Sequence, residues 1–266
     1  MTRRLLGIVC LISALAVPST MYAQALPPTP TGPTEDPAES ARVRLGPLFL
    51  QPNFGLKNVG VDNNVFNEAL NPQRDWTGTV SLGMLAGLRF GQARLTMKTT
   101  TDYVYYAHFR EERAIDGVSR YQFEIRNPRI RPWLAYEKVK THERLGFEID
   151  ARAGRTVPVY EAGVEGKLGF RLSARLIARQ RKVEYQQEED FRGVKLADTL
   201  ATKDEEGAVQ LLYEVSPLSS LRASFEMNRV RFDKATIRDV DDKALFLGLE
   251  GRRDAGMEGT IDVGWK

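Results

Sequence analysis

The sequence predicts an all-β fold, an antiparallel up-and-down transmembrane β-barrel of about 12 strands. Three observations support this class. Apolar residues alternate with other residues along long segments, short and long connections alternate along the chain, and no stretch beyond the N-terminus is apolar enough for a membrane helix. The segment at 80–90, VSLGMLAGLRF, shows the first feature clearly, because only Leu85 interrupts its alternation.

Eleven strands follow from the period of two, at 48–61, 77–90, 93–109, 120–128, 132–140, 157–169, 172–185, 206–215, 219–232, 242–251 and 256–266. The connections predicted to be short lie near 91–92, 127–131, 169–172, 216–219 and 252–256. The connections predicted to be long and polar lie near 62–76, 110–119, 141–156, 187–204 and 234–240. Alternation of tight periplasmic turns with longer outer loops is typical of outer-membrane barrels.

The odd number of strands has a consequence for the chain. Bacterial single-chain barrels have even strand numbers, and this sequence ends at Trp265-Lys266 in the middle of an alternating pattern. We therefore expect at least one more strand, either truncated at the C-terminal end or missed or merged in the pattern.

Two media could accept the apolar face of these strands, the interior of a soluble barrel or lipid. Strands of about 12 to 17 residues favour lipid, because soluble strands are usually shorter and a tilted crossing needs about 9 to 11 residues. A soluble secreted β-barrel that binds a small or lipidic ligand is the alternative. Aromatic residues near the strand ends predict interfacial girdles: Tyr103, Tyr105, Tyr106, Phe109 and Trp76 at one level, and Trp133, Phe90 and Phe170 near short turns.

The N-terminus predicts export. Residues 1–25 read as a signal peptide, because Arg3 and Arg4 precede a short apolar stretch and 23–25 has small-x-small spacing. A membrane anchor is the alternative, but the apolar stretch is shorter than a bilayer span.

The mature chain is predicted to have two parts, a Pro-rich periplasmic lead segment at 26–43 and an outer-membrane barrel at 44–266. The single cysteine, Cys10, lies in the signal, so no disulfide is expected. The net charge is only +3 and the charges are mixed along the chain, which argues against nucleic acid as a partner.

The segment GVDNNVF at 60–66 resembles the G-x-D-x-N-V-F signature of the β-barrel porin type 2 family, and FEIDARAGR at 147–155 is similar to that family's E-I-D-A-R-A-R-R segment. The resemblance extends over about 44 to 266. It implies an outer-membrane barrel, and many such proteins resemble those found with exopolysaccharide production or exosortase systems, with an undefined substrate. Gly154 stands where the family usually has a basic residue.

Charged residues on the other face of the predicted strands would line the lumen. Twelve candidates are Arg89, Arg94, Lys98, Asp102, Glu161, Glu165, Lys167, Arg175, Arg179, Glu214, Arg222 and Glu226. Rings of charge tune pore selectivity, whereas an interlocked ion-pair network would fill a small barrel. We expect either an open passive pore or a plugged structural barrel, with outer-membrane lipid, the barrel-assembly machinery and a saccharide or small solute as partners.

The sequence offers little for catalysis. His108 and His142 are the two histidines, and Ser119 is near His108 in the sequence, but no G-x-S-x-G motif occurs. An enzyme, a metal site and a cofactor are therefore not expected. Asp62 and Asn64 could begin a calcium loop, but the later Gly and Glu are misplaced, so Asx hydrogen bonds are predicted there.

The longest outer connection, at 186–204, could contain a short amphipathic helix that caps the barrel mouth or folds inward. A solvated loop is the alternative. The apolar residues of that helix would be Phe191, Val194, Leu196 and Leu200.

Overall fold

The computed structural model describes residues 41–68, 70–143, 152–186, 190–191, 193–251 and 259–266. The predicted signal peptide and most of the lead segment lie outside these residues. One antiparallel sheet of twelve strands dominates, and each strand pairs with its neighbours in chain order. The strands are β1 (Val43–Leu45), β2 (Leu48–Asp62), β3 (Asp75–Phe90), β4 (Ala93–Tyr106), β5 (Ala114–Ile125), β6 (Ile130–Thr141), β7 (Arg155–Lys167), β8 (Leu172–Tyr185), β11 (Thr202–Ser216), β12 (Ser219–Phe232), β13 (Val240–Gly251) and β14 (Gly259–Trp265).

A small insertion follows β8. Strands β9 (Asp190–Phe191) and β10 (Val194–Lys195) pair with each other, and helix α1 (Leu196–Leu200) leads into β11. The all-β prediction is confirmed. Within the described part of the chain, no helix combines the length and apolar character that a membrane crossing requires.

All eleven predicted strands are present, with ends shifted by a few residues. The twelfth, β1, was not predicted; it pairs only with the first residues of β2, Val43 opposite Leu50. Strand β4 ends at Tyr106, earlier than predicted, because Asp75 Oδ2 accepts hydrogen bonds from the backbone N–H groups of His108 and Phe109. These two residues thus leave the β-ladder.

The predicted alternation of short and long connections is also confirmed where the structure describes the strands on both sides, but the short connection predicted near 252–256 lies outside the described residues. Gly91 adopts a positive φ of 57° in the two-residue turn between β3 and β4, a conformation that glycine tolerates. Longer connections follow β2, β4, β6, β8 and β12. Because neighbouring strands run in opposite directions, short turns gather at one end of the sheet and long connections at the other. We call these the short-turn end and the long-connection end.

The sheet has two chemically distinct faces. The polar face carries Arg94, Glu124, Trp133 and Glu161. Arg94 lies opposite Glu124, and Glu124 lies opposite Trp133. Trp133 lies opposite Gly163, which is two residues from Glu161 and therefore on the same face. The apolar face carries the intervening residues, such as Leu134. Burial is the reverse of that in a soluble protein: Trp133 is 2% exposed, whereas Leu134 is 60% exposed.

Burial of the polar face requires a curved sheet. No second sheet covers this face among the described residues, so the strands must curve around it. Arg152, just before β7, comes within 3.9 Å of Asp62 at the end of β2, although five ladder steps separate these strands. In the described residues, no ladder joins β1 or β2 to β14.

The aromatic residues divide between the two faces. Trp76, Tyr103, Tyr105 and Phe90 are exposed on the apolar face, and Phe170 is exposed in a short turn. The assignment of Trp133 and Tyr106 to an interfacial girdle was wrong. Both are buried on the polar face. Trp133 lies opposite Glu124 and donates a hydrogen bond to Glu161, and Tyr106 lies opposite Thr77 and accepts a hydrogen bond from Arg152.

Candidate functional site

The polar face carries all twelve charged residues that the sequence placed in the lumen. The pairing register, followed from β3 to β12, puts them on this one face: Arg89, Arg94, Lys98, Asp102, Glu161, Glu165, Lys167, Arg175, Arg179, Glu214, Arg222 and Glu226. The structure brings some of them into direct contact and leaves others exposed, as the following contacts show.

Glu161 on β7 is the centre of the polar face, with a side chain only 1% exposed. Its Oε1 accepts hydrogen bonds from Trp133 Nε1 at 2.9 Å and Arg120 Nη2 at 3.3 Å. Its Oε2 accepts one from Arg179 Nη2 at 3.1 Å. A buried carboxylate is stable only with such charged and hydrogen-bonded partners. Four strands, β5 to β8, are thereby linked through one side chain.

A glycine opposite Trp133 makes room for this arrangement. Gly163 on β7 pairs with Trp133, and a Cβ there would stand 2.1 Å from Trp133 Cζ2. The indole therefore lies over backbone. A second glycine has the same role. Gly248 on β13 lies between Arg222 on β12 and Asp262 on β14. The Arg222 guanidinium donates to the Asp262 carboxylate at 2.5 Å across this glycine.

Further ion pairs neutralise other charges on the polar face. Arg94 Nη2 lies 2.7 Å from Glu124 Oε1, and both side chains are less than 5% exposed. Arg175 Nη2 donates to Glu165 Oε2 at 2.8 Å. Arg181 on β8 pairs with Asp204 on β11. Charges of both signs therefore cancel locally, and side chains fill the polar face over β4 to β8.

The polar face is less filled over β2, β3 and the middle of β4. Lys57 and Asp102 form an ion pair at 3.3 Å with side chains 51% and 28% exposed, and Lys98 is exposed. Lys167 and Arg89 are exposed near the short-turn end, where Arg89 lies over the Phe49 ring. These predicted residues therefore share the face but do not join the network around Glu161.

Side chains also gather at the long-connection end. Arg152 donates to Tyr106 Oη at 2.6 Å, and its Nη1 lies 3.1 Å from Glu112 Oε2. The predicted helix forms at 196–200, shorter than predicted. Leu196 is buried against Ala153, with Tyr185 and Leu200 packed beside them. The two connections before β7 and β11 thus pack together over this end.

The candidate catalytic groups have separate partners. His108 Nδ1 lies 2.8 Å from Asp75 Oδ1, and His142 Nδ1 lies 2.9 Å from Asp116 Oδ1. Ser119 is on the apolar face of β5, where its hydroxyl lies 3.0 Å from that of Thr99. Ser119 and His108 are therefore not joined into a nucleophile–base pair.

The predicted Asx turn is present. The backbone N–H of Asn64 donates to Asp62 Oδ1 at 3.0 Å, and Asn64 Oδ1 accepts from the N–H of Glu68 at 2.9 Å. In the described part of the chain, no group of three His, Asp or Glu side chains is placed to hold a metal ion.

Sequence reasoning missed Trp133, Arg120 and Glu124 as members of the polar face. The signal was available, because Arg120, Gln122 and Glu124 alternate with Tyr121, Phe123 and Ile125.

No family model matches the chain, and neither the curated proteins nor the solved structures contain a significant match. The resemblance to β-barrel porin type 2 proteins therefore stays a prediction.

Proposed function

We propose that this chain is a β-barrel of the outer membrane whose interior is largely filled by side chains. It would act as a structural component or a narrow passive pore. The observation that carries the proposal is the reversed burial of the sheet. Leu134, Leu176, Leu247 and other apolar side chains are about half exposed, whereas charged residues on the opposite face are buried. Hydrocarbon is the medium in which such an exposed face is favourable.

The extent of the apolar face fits a bilayer. On β6, charge first appears on this face at Lys138, eight residues after Ile130 at the short-turn end. On β12 it first appears at Arg229, ten residues after Ser219. A strand that crosses a bilayer at a tilt needs about 9 to 11 residues. The apolar segments therefore match one crossing.

Closure follows from the same solvent. Unpaired backbone N–H and C=O groups are costly in hydrocarbon, so a sheet that spans lipid must have no open edge. We expect the edge strands of this sheet to be paired in the membrane. The filled polar face over β4 to β8 favours a plugged or narrow barrel over a wide pore. The resemblance noted above adds exopolysaccharide production as a biological setting.

A soluble secreted barrel with a ligand inside is the second candidate. Such a barrel would hold its apolar residues on the concave side. Here the buried concave side carries Glu161, Arg94 and their partners instead. The geometry therefore favours the membrane barrel.

Outer-membrane fractionation followed by heat-modifiable gel migration tests the proposal. A barrel should migrate differently before and after heating, and should remain with the membrane. A mature polypeptide that is folded and monomeric in buffer without surfactant would overturn the proposal.

Planar-bilayer conductance then tests the filled interior. The protein should conduct weakly, and Trp133→Ala should raise the conductance, because the indole lies in the centre of the polar face. Trp76→Ala, on the apolar face, is the matched control and should leave conductance unchanged. Equal conductance in the two variants, with heat-modifiable migration retained, would show that the indole does not obstruct the interior.

A further inference from the structure

A row of cations crosses the apolar face near the long-connection end. Lys182 on β8 lies directly opposite Lys203 on β11, and Lys203 lies directly opposite Arg231 on β12. On the other side, Lys138 pairs with Pro158 on β7. Because Val159 pairs with Arg181, the same register sets Pro158 beside Lys182. We call Lys138, Lys182, Lys203 and Arg231 the cation row.

The cation row is electrostatically unfavourable by itself. Like charges directly opposite each other in a sheet destabilise the pairing. Three members have acidic neighbours: Lys182 with Glu184 at 2.9 Å, Lys203 with Glu205 at 2.7 Å, and Arg231 with Asp241 at 2.7 Å. These pairs are solvent-exposed and therefore contribute little.

Lys138 differs from the other three. It is exposed and has no ion-pair partner among the residues that the structure describes. An anion bound at the Lys138 end of the row would therefore neutralise the Lys138 charge without breaking an existing ion pair.

An open groove of about 670 Å³ adjoins this row toward the short-turn end. Ala162 and Ala178 pair with each other on the apolar face and leave space between larger neighbours. Leu134 and the rings of Tyr136 and Tyr160, whose centroids are 5.1 Å apart, line the same groove. Going from Ala162 through Tyr160 to Pro158 and Lys182, the surface changes from apolar to amphipathic to cationic. Glu205 also lines the groove, where its carboxylate is paired with Lys203 at 2.7 Å.

We infer that this groove binds an anionic lipid, with an acyl chain over Ala162 and Ala178 and its phosphate at the Lys138 end of the cation row. The inference rests on the proposed membrane barrel. A phospholipid is the occupant that fits, because its apolar chain and its phosphate are joined in the order that the surface presents. Free phosphate would use the cations but not the groove. Tyrosine between the two is typical of the level where lipid headgroups meet acyl chains.

Native mass spectrometry of the full mature protein tests the site. The detergent-solubilised protein is exposed to equal amounts of phosphatidylglycerol and phosphatidylcholine, and the ratio of retained lipids is measured. Wild-type protein should retain more phosphatidylglycerol. Lys138→Gln should lower the ratio about fivefold, the factor that corresponds to about 1 kcal/mol for one basic residue beside an anionic lipid surface. Ala178→Leu should lower total lipid retention by filling the groove.

Lys243→Gln is the matched control. Lys243 is also exposed on the apolar face and has no ion-pair partner in the described residues, but it lies on β13, away from the groove. Its replacement should leave the ratio unchanged. Equal losses in both lysine variants, or an unchanged ratio in Lys138→Gln, would overturn the site. Free phosphate that displaces the lipid would also overturn it. Absence of any heat-modifiable form in detergent would instead contradict the proposed membrane barrel itself.

Discussion

The two faces of the sheet invert the usual relation between polarity and exposure. On β6, Trp133 is buried and its neighbour Leu134 is exposed. On β7, Glu161 is buried and its neighbour Tyr160 is exposed. Adjacent residues of one strand thus experience opposite environments, and in each pair the residue on the polar face is the buried one. Under the proposed membrane barrel, the stability of the sheet depends on hydrogen-bonded and ion-paired side chains on the polar face and on hydrocarbon against the apolar face.

The polar face is where one substitution should cost most. Glu161→Leu leaves Trp133 Nε1 without its acceptor and removes a carboxylate shared by Arg120 and Arg179. Breaking a buried ion pair by removing one partner costs about 3–5 kcal/mol. Urea unfolding of the protein in lipid vesicles, followed by heat-modifiable gel migration, measures the loss.

Glu206→Leu is the control for that experiment, because Glu206 also pairs with Arg179 but its side chain is 34% exposed. A pair with one partly exposed partner contributes less than a fully buried one, so this variant should unfold closer to the wild-type midpoint than Glu161→Leu. Equal losses from Glu161 and Glu206 would contradict the central role of Glu161.

The apolar face should respond next most strongly. Leu247 is 51% exposed on β13 in the middle of the apolar segment. Leu247→Arg should cost about 2–4 kcal/mol if this position meets hydrocarbon at the bilayer midplane. Lys243→Arg, four residues away on the same face beyond the apolar segment, should cost almost nothing. The same vesicle unfolding assay compares the two, and an unperturbed Leu247→Arg protein would show that lipid does not contact this face.

The smallest of the three effects compares two glycines on opposite faces of β7. Gly163→Ala should cost about 1–3 kcal/mol, because the new Cβ would overlap the Trp133 indole and displace it. Gly166→Ala should be nearly neutral, since the closest atom to a Cβ there is Arg129 O at 3.9 Å. The tryptophan fluorescence spectrum should differ from wild type only in Gly163→Ala, where the indole is displaced. Identical spectra and stabilities would mean that the indole does not lie over Gly163.

Prediction from the sequence reached the strands and the two faces. The period of two fixes which side chains share a face, so even residues as distant as Arg89 and Glu226 were correctly grouped. The network around Glu161 was not predicted, in part because the strands predicted at 120–128 and 132–140 were not assigned faces. Trp133 was placed in a girdle on the basis of its nearness to a turn, whereas its parity puts it beside Glu124.

The sequence by itself determined the all-β class, the order of short and long connections and the membership of each face, because alternation along a strand is a local property. Only the tertiary structure decided that Glu161 would join Trp133, Arg120 and Arg179, and that Lys138 would stand at the end of a cation row. Contacts of that kind depend on the register between strands, on the curvature of the sheet and on a glycine, such as Gly163, that leaves room for a large side chain opposite it. These are set by many distant pairings together, so no single segment encodes them.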